Sequence, residues 1–259
     1  MENQGNHRPT EIMQEKEIKP ARPTEVMTRK TADMSGAKGG VSKSHISTGT
    51  IIDGYGLTGV ITENTGEAVL FLCSKEGKEF VAKVYHHNKR PKDEILEIVK
   101  AIDSPFILKI IDSGEYSGRY YEIFPYFGNG DLQKAAPLEA DFIINTVVGN
   151  LNDALFALHN RDIVHRDVKP NNIFFNNDMK SVVLGDFGIC SIMESGLTVR
   201  VTSSARTPGY SAPETAQGFV SKESDYYSLG VTLLHLATGV DPFIGMTDNQ
   251  ILMHTLNYR

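Results

Sequence analysis

A two-lobed α+β fold is predicted by three features of the sequence: β-type runs between residues 50 and 85, one helical pattern at 92–102, and long helical periodicities after residue 128. The β-type runs are "GVITE", "AVLFLCS" and "EFVAKVYH", separated by the turn signals "NTG" and "KEGK", as in antiparallel hairpins. "KDEILEIVKAI" spaces Ile95, Ile98, Val99 and Ile102 for one helix face and stops at "DSP". "FILKIIDSG" and "RYYEIFPYF" read as two further strands. Past "GNGDL", residues 141–159 line up Phe142, Ile143, Val147, Leu151, Ala154, Leu155 and Leu158 at intervals of three and four. "SDYYSLGVTLLHLAT" at 224–238 is apolar on most sides, which predicts a buried helix.

Residues 1–48 are polar and Pro-dotted, the composition of a disordered tail, and carry a small repeat, "RPTEIM" at 8–13 and "RPTEVM" at 22–27. The expected organisation is this tail, a β-rich lobe over 49–124, and a helical lobe with its connecting hinge over 125–259. A net charge of −6 argues against a general nucleic-acid binder. The two cysteines, Cys73 and Cys190, are too few and too far apart for a disulfide framework or a zinc cluster. The start has no apolar core to serve as a signal peptide, and no apolar run reaches spanning length, so a cytoplasmic segment without a membrane anchor is expected.

"IVHRDVKPNNIFF" at 163–175 sets His165, Arg166, Asp167, Lys169 and Asn172 between the apolar pairs Ile163/Val164 and Phe174/Phe175. Charged groups at the edge of a core are costly unless paired. "DGYGLTGVI" spaces Gly54, Gly56 and Gly59 as G-x-G-x-x-G, whose backbone amides can approach phosphate; alone, a glycine-rich hairpin explains it as well. A dinucleotide fold is excluded, because strand, turn and strand follow where a helix is required. Lys83 in "EFVAKVY" is by itself an ordinary strand lysine, and Asp186 in "VVLGDFGIC" an ordinary turn aspartate. "TPGYSAPE" closes the series at 207–214.

Taken in order, glycine loop, strand lysine, helix glutamate, H-R-D-x-K-x-x-N, D-F-G and T-x-x-Y-x-A-P-E, the chain from about residue 50 to 259 resembles the eukaryotic-type (Hanks-type) serine/threonine protein kinase family. The resemblance implies a kinase-like fold with a cleft for ATP and Mg²⁺ between the lobes. It makes Asp167 the proton acceptor for the attacking hydroxyl, sets Lys169 against the γ-phosphate, and gives the metal to Asn172 and Asp186. Lys83 would hold the α- and β-phosphates, paired with Glu94, and the loop of Gly54, Tyr55, Gly56 and Gly59 would cover them. Ile61, Ala82 and Phe174 would sandwich adenine, with Phe124 at the back of the pocket. The carbonyl of Pro125 and the amide of Phe127 would pair with the base, and Asp131 with the ribose. Thr207 would touch Asp167 and Lys169. The lysine of "DVKPNN" and Thr207 together imply serine/threonine substrates on proteins. Arg166 would receive a phosphate from the 189–206 loop, with Thr198 and Thr202 its leading sites. Asp225 would bond the catalytic-loop backbone or cap its own helix.

Three departures accompany the resemblance. Asp53 stands where relatives usually carry an aliphatic residue, with Ile52 as a substitute. Glu94 shares a face with Ile98 and Ile102 where Glu97 does not, yet lies only 94 − 83 = 11 positions from Lys83. Relatives also usually continue past "ILMHTLNYR" with an arginine that pairs with the A-P-E glutamate; the C-lobe is therefore expected to be truncated and Glu214 to be a buried carboxylate without its partner. The competing functions are a non-catalytic pseudokinase that binds partners and a small-molecule phosphotransferase of related fold. For the tail, Thr10 and Thr24 are candidate autophosphorylation sites for a phosphothreonine reader such as a forkhead-associated domain, against a chance echo in a linker.

Overall fold

Twelve strand segments and a set of mostly short helices are assigned among the residues that the computed structural model describes: 46–63, 66–193, 206–257 and the backbone of 199–200. The tail threonines Thr10 and Thr24 and the loop threonines Thr198 and Thr202 lie outside the described residues.

The N-terminal half is one six-stranded sheet in the order β1-β2-β3-β4-β6-β5, with β1 Ile51–Ile52, β2 Tyr55–Thr62, β3 Ala68–Lys75, β4 Lys78–Tyr85, β5 Asp112–Tyr116 and β6 Arg119–Pro125. All its pairings are antiparallel. The "KEGK" hairpin turns on Glu76 and Gly77, both at positive φ (53° and 75°), the primed geometry that suits twisted strands. Asp53 and Gly54 repeat this arrangement, with φ of 46° and 86°, between β1 and β2. Helix α1, Asp93–Lys100, buries Ile95, Leu96 and Val99. Residues 107–111 are not in a strand, because β5 begins only at Asp112; Ile107 instead bridges to Leu184 across the molecule.

After a short helix α2, Leu132–Ala135, the predicted long helix runs as α3 Ala140–Phe142, a π turn Ile143–Val147 and α4 Val148–His159. It buries Ile143, Val147, Leu151, Ala154, Leu155 and Leu158, the stripe that the periodicity marks. Two short hairpin-like pairs follow: β7 Ile163–Val164 with β10 Ser191–Ile192, and β8 Ile173–Phe175 with β9 Val182–Leu184. A third two-stranded pair joins β11 Val199–Arg200 to β12 Phe219–Val220. Helix α5, Lys222–Thr238, starts at a Ser221/Ser224 capping box and ends at Gly239 with φ 72°. It is buried on one side rather than all round: Ser224, Asp225, Ser228, Leu229, Thr232, His235 and Leu236 face inward, while Tyr226 and Leu234 are exposed. The inner face is largely polar because it holds loops in place by hydrogen bonds. Helix α6, Asp248–Asn257, completes the described chain.

Two large apolar cores and one small cluster of Val164, Met193 and Val220 result among the described residues. One lies on a single face of the sheet and gathers Ile52, Tyr55, Leu57, Phe71, Ala82, Val84, Tyr121 and Ile123. The larger one joins α1 and Phe124 to α4, β7, β8, β9 and Phe187. The cleft-side residues therefore sit between a sheet roof and a helical floor.

Candidate active site

The catalytic loop is held at both ends by buried strands, since Ile163, Val164 and Ile173 are fully inaccessible. Between them the polar groups satisfy one another. Asp225, itself completely buried, accepts the backbone N–H of His165 (2.8 Å) and of Arg166 (2.7 Å) and meets His159 Nε2 at 2.8 Å. The helix cap is Ser221, so Asp225 serves the loop and not its own helix terminus. The backbone N–H of Asp167 donates to His165 Nδ1 (3.2 Å), which leaves Nε2 to donate to the Gly185 carbonyl (3.0 Å) and ties this loop to the strand before Asp186. Arg166 takes φ 72°, and Asp186 φ 62°, a left-handed backbone that non-glycine residues adopt at a cost and that here aims both side chains.

Asp167 is the centre of a closed set of bonds. Thr207 Oγ1 donates to its Oδ1 (2.8 Å), Lys169 Nζ meets Oδ2 (2.8 Å), and Asn172 Nδ2 donates both to Oδ2 and to the Asp167 carbonyl (2.8 Å each). Lys169 Nζ also donates to Thr207 Oγ1 at 2.9 Å. The predicted Asp167, Lys169, Asn172 and Thr207 are thus brought together. Arg166 donates to the Ile189 carbonyl (2.8 Å) and Ser191 Oγ (3.1 Å), which anchors the start of the 189–206 loop.

Above them Lys83 Nζ contacts Asp186 Oδ1 at 2.6 Å. Burial by itself would lower the lysine's pKa, but the Asp186 carboxylate, helped by Glu122 and Glu67, outweighs burial and holds it above the ordinary value. Burial would raise the Asp186 carboxyl; the Lys83 ammonium instead brings it below the aspartate range. Asp186 Oδ1 also accepts the Gly188 N–H at 3.3 Å.

The sheet roof departs from expectation in four places. The hairpin of Gly54 lies at the far end of the sheet from Lys83. Gly56 pairs with Ser74 and Lys75 with Lys78, whereas Lys83 pairs with Leu70, which in turn pairs with Thr62. Five residues of β4 separate Lys78 from Lys83 (83 − 78), roughly 17 Å of strand. Tyr55 is a core side chain, edge-on to Phe80 and beneath the Lys75 ammonium. Gly56 and Gly59 pair with Ser74 and Leu72 in the β2–β3 ladder, with a register shift between Leu57 and Gly59. The connection that reaches the lysine end is the one from β2 to β3, where Glu67 lies so close to Gly188 that a Cβ there would stand 2.8 Å from Glu67 Oε2. The "NTG" turn signal marked this connection; its lack of a full glycine pattern hid its place.

Second, Ala82 faces the upper core with Phe71 and Ile123, and so does Ile52. Side chains alternate along a strand, so the cleft face of β4 carries Val81 with Lys83, and Val81 stands opposite Leu72 and Phe124. Third, Glu94 and Glu97 are both exposed, and Lys83 pairs with neither. The inward positions of a helix of eight residues are taken by Ile95, Leu96 and Val99. Fourth, Asp53 is engaged at the far end, accepting the Tyr121 hydroxyl.

The other nucleotide-side positions lie along the floor and rim. Phe124 is buried, Pro125 ends β6 opposite Phe80, and Phe127 stacks on Phe174 with centroids 6.2 Å apart. Ile61 is exposed near the lysine end of β2. Asp131 caps α2, accepting from the Lys134 N–H at 3.2 Å. Glu214 is exposed and accepts the Ser224 hydroxyl at 2.9 Å, so the expected burial of that carboxylate does not occur.

The family model described as Protein kinase domain matches residues 63–258, a span that begins after the Gly54 hairpin. The chain is 33% identical over 150 residues to serine/threonine-protein kinase PrkC of Bacillus subtilis (strain 168), covering 56% of this chain and 23% of that protein. It is 29% identical over 227 residues to the DNA damage-responsive serine/threonine-protein kinase RqkA of Deinococcus radiodurans, covering 80% and 33%. It is 32% identical over 186 residues to serine/threonine-protein kinase Nek1 of Mus musculus, covering 67% and 15%. The chain thus spans between about a seventh and a third of the length of these curated relatives.

Proposed function

The chain belongs to the protein kinase family, and we propose that it transfers the γ-phosphoryl group of ATP to serine and threonine hydroxyls of protein substrates. The observation that carries this reading is the bonding of Asp167 to Thr207, Lys169 and Asn172. A carboxylate oriented on three sides is suited to take the proton of a hydroxyl as its oxygen attacks the γ-phosphorus. The bond from that phosphorus to the bridging oxygen breaks, and ADP leaves. Lys169 offsets the charge that gathers on the transferred group, and Thr207 keeps Asp167 and Lys169 in register. Lys83 holds the α- and β-phosphates.

Kinases of this family use ATP with a divalent metal, and Mg²⁺ is the ion that the donors fit. Asn172 commits its nitrogen to Asp167, which leaves the amide oxygen, and Asp186 commits Oδ1 to Lys83, which leaves Oδ2. Two hard oxygens, completed by phosphates and water, suit Mg²⁺. When bound, the ion neutralises phosphate charge. Phe124, Val81 and Leu72 form the apolar roof and back of the adenine site, and Phe174 with Phe127 its floor. The Pro125 carbonyl and Phe127 amide read the base, Ile61 closes the rim and Asp131 takes the ribose. A phosphate on Thr198 or Thr202 orders the 189–206 loop through charge-assisted bonds near Arg166. Tail phosphorylation at Thr10 and Thr24 presents two copies of one motif to a phosphothreonine reader of the forkhead-associated kind. The setting is cytoplasmic, where ATP is available; among the described residues no helix is long and apolar enough to cross a membrane.

Incubation with Mg²⁺-ATP and a serine/threonine peptide library, read by mass spectrometry, tests the reading. Phosphate on peptides and on the chain itself is expected, and its loss in Lys83→Met. Nucleotide binding without any phosphate transfer would overturn it.

A further inference from the structure

Lys83 lacks a helix partner, yet a second buried acid stands beside it in the sheet. Glu122 lies directly opposite Lys83 in the β4–β6 ladder, and directly opposed residues share a face. Both are buried, Glu122 with 3% of its surface exposed and Lys83 with 7%. Tyr85, two residues beyond Lys83 and so on the same face, donates its hydroxyl to Glu122 Oε2 at 2.8 Å. The Lys83 ammonium sits 5.1 Å from the centre of the Tyr85 ring. Lysine, tyrosine and glutamate therefore form one packed set on two neighbouring strands. A carboxylate buried to this degree is costly unless a donor and a cation stand near it. Tyr85 supplies the donor, while Lys83, whose ion pair is with Asp186, acts on Glu122 through space, and burial holds the Glu122 carboxyl above its ordinary value.

Asp186 is a poor permanent partner for Lys83, because its carboxylate is also the only one that the proposed metal site supplies. Once Asp186 is shared with a cation, Lys83 requires another negative group to stay extended toward the phosphates. Helix α1 supplies none at its inward positions, Ile95, Leu96 and Val99. We propose that Glu122, held by Tyr85, is the standing counter-charge that positions Lys83, the sheet thereby supplying the carboxylate that the helix does not. This rests on the kinase reading above and makes Glu122 and Tyr85 positioning residues, acting through Lys83.

The test compares Glu122→Gln, Tyr85→Phe and Glu94→Gln with the unchanged chain, in turnover and in nucleotide titration. Glu122→Gln keeps an acceptor for Tyr85 and removes only the charge. It is expected to lower kcat/KM for ATP about 10–100-fold, through both kcat and the ATP KM, with the peptide KM and the melting temperature little changed. Tyr85→Phe should act in the same direction and less, about threefold. Glu94→Gln should stay within about twofold of the unchanged chain, because that carboxylate is in solvent. Unaltered ATP kinetics in Glu122→Gln, while Lys83→Met is inactive, would overturn the proposal and leave the kinase reading intact; so would a large loss in Glu94→Gln. If the unchanged chain transfers no phosphate, the kinase reading fails, and nucleotide affinity decides: Glu122→Gln must then weaken Mg²⁺-ATP binding at least about fivefold, or the proposal falls. Should Glu122→Gln not fold, Glu122→Asp, which retracts the charge by one methylene, reads the same ATP-specific loss at smaller amplitude.

Discussion

The catalytic loop and the sheet roof above it face the same cleft and are specified in different ways. In the loop, nearly every functional group is a side chain within eight positions of His165, and these groups bond to one another, to Asp225 of α5, and to Gly185, Ile189, Ser191 and Thr207 in the segment that follows. In the roof, the groups that matter are set by which strand lies beside which. Lys83 acquires its neighbours Leu70 and Glu122 from strands 13 and 39 residues away (83 − 70 and 122 − 83), and the glycine pattern that would mark the nucleotide loop occurs in the wrong hairpin. A loop built from local side-chain chemistry tolerates little change; a roof built from register tolerates change at any position whose neighbours are not in the cleft.

The largest effect should come at the centre of the loop. Asp167→Asn keeps the shape and loses the proton acceptor, so kcat should fall by about 10²–10⁴ while Mg²⁺-ATP affinity stays within a few-fold. Stopped turnover assays with a parallel nucleotide titration check this, and near-normal turnover would refute the assignment. Next is Asp225→Ala, which strands the His165 and Arg166 N–H groups in a fully buried position. Removing one side of such a buried arrangement costs about 3–5 kcal/mol, a lowering of the melting temperature by roughly 6–20 °C for a domain of this size. Calorimetry reads the loss, and a change of less than about 2 °C would show that the loop is held by other contacts. The smallest effect belongs to the roof. Gly54→Ala places a side chain at φ 86°, which should cost about 1 kcal/mol of stability. Its ATP KM should not move, because this hairpin lies away from Lys83. A raised ATP KM in Gly54→Ala would bring that hairpin back to the nucleotide and break the contrast between the two regions.

Much of the architecture was legible. The apolar stripe of 143–158, the hairpin turn at "KEGK" and the anchoring of the catalytic loop between apolar pairs all rest on local pattern, and the structure has them. The grouping of Asp167, Lys169, Asn172 and Thr207 could be anticipated from motif order. The interior of α5 departs from the expectation of burial all round, because a helix rich in Leu and Tyr can still turn its serines, aspartate and histidine inward when loops need donors and acceptors there.

From the residues, and the family resemblance they carry, followed the grouping on the floor: a carboxylate, a lysine two positions on and a carboxamide five positions on, on a loop with buried ends. Those relations are encoded in chain distance, and chain distance is what a sequence states. Tertiary structure alone decided the roof. A shift of one residue along β4 exchanges Val81 for Ala82 at the cleft, because side chains alternate with period two. Which of two turns covers Lys83 depends on the strand at whose end it lies. The partner available to Lys83 depends on the pairing of β4 with β6 and on which face of a short helix meets the core. Each is a relation between segments far apart in the chain, fixed by packing the two sheet faces against different cores, and none has a counterpart in local spacing.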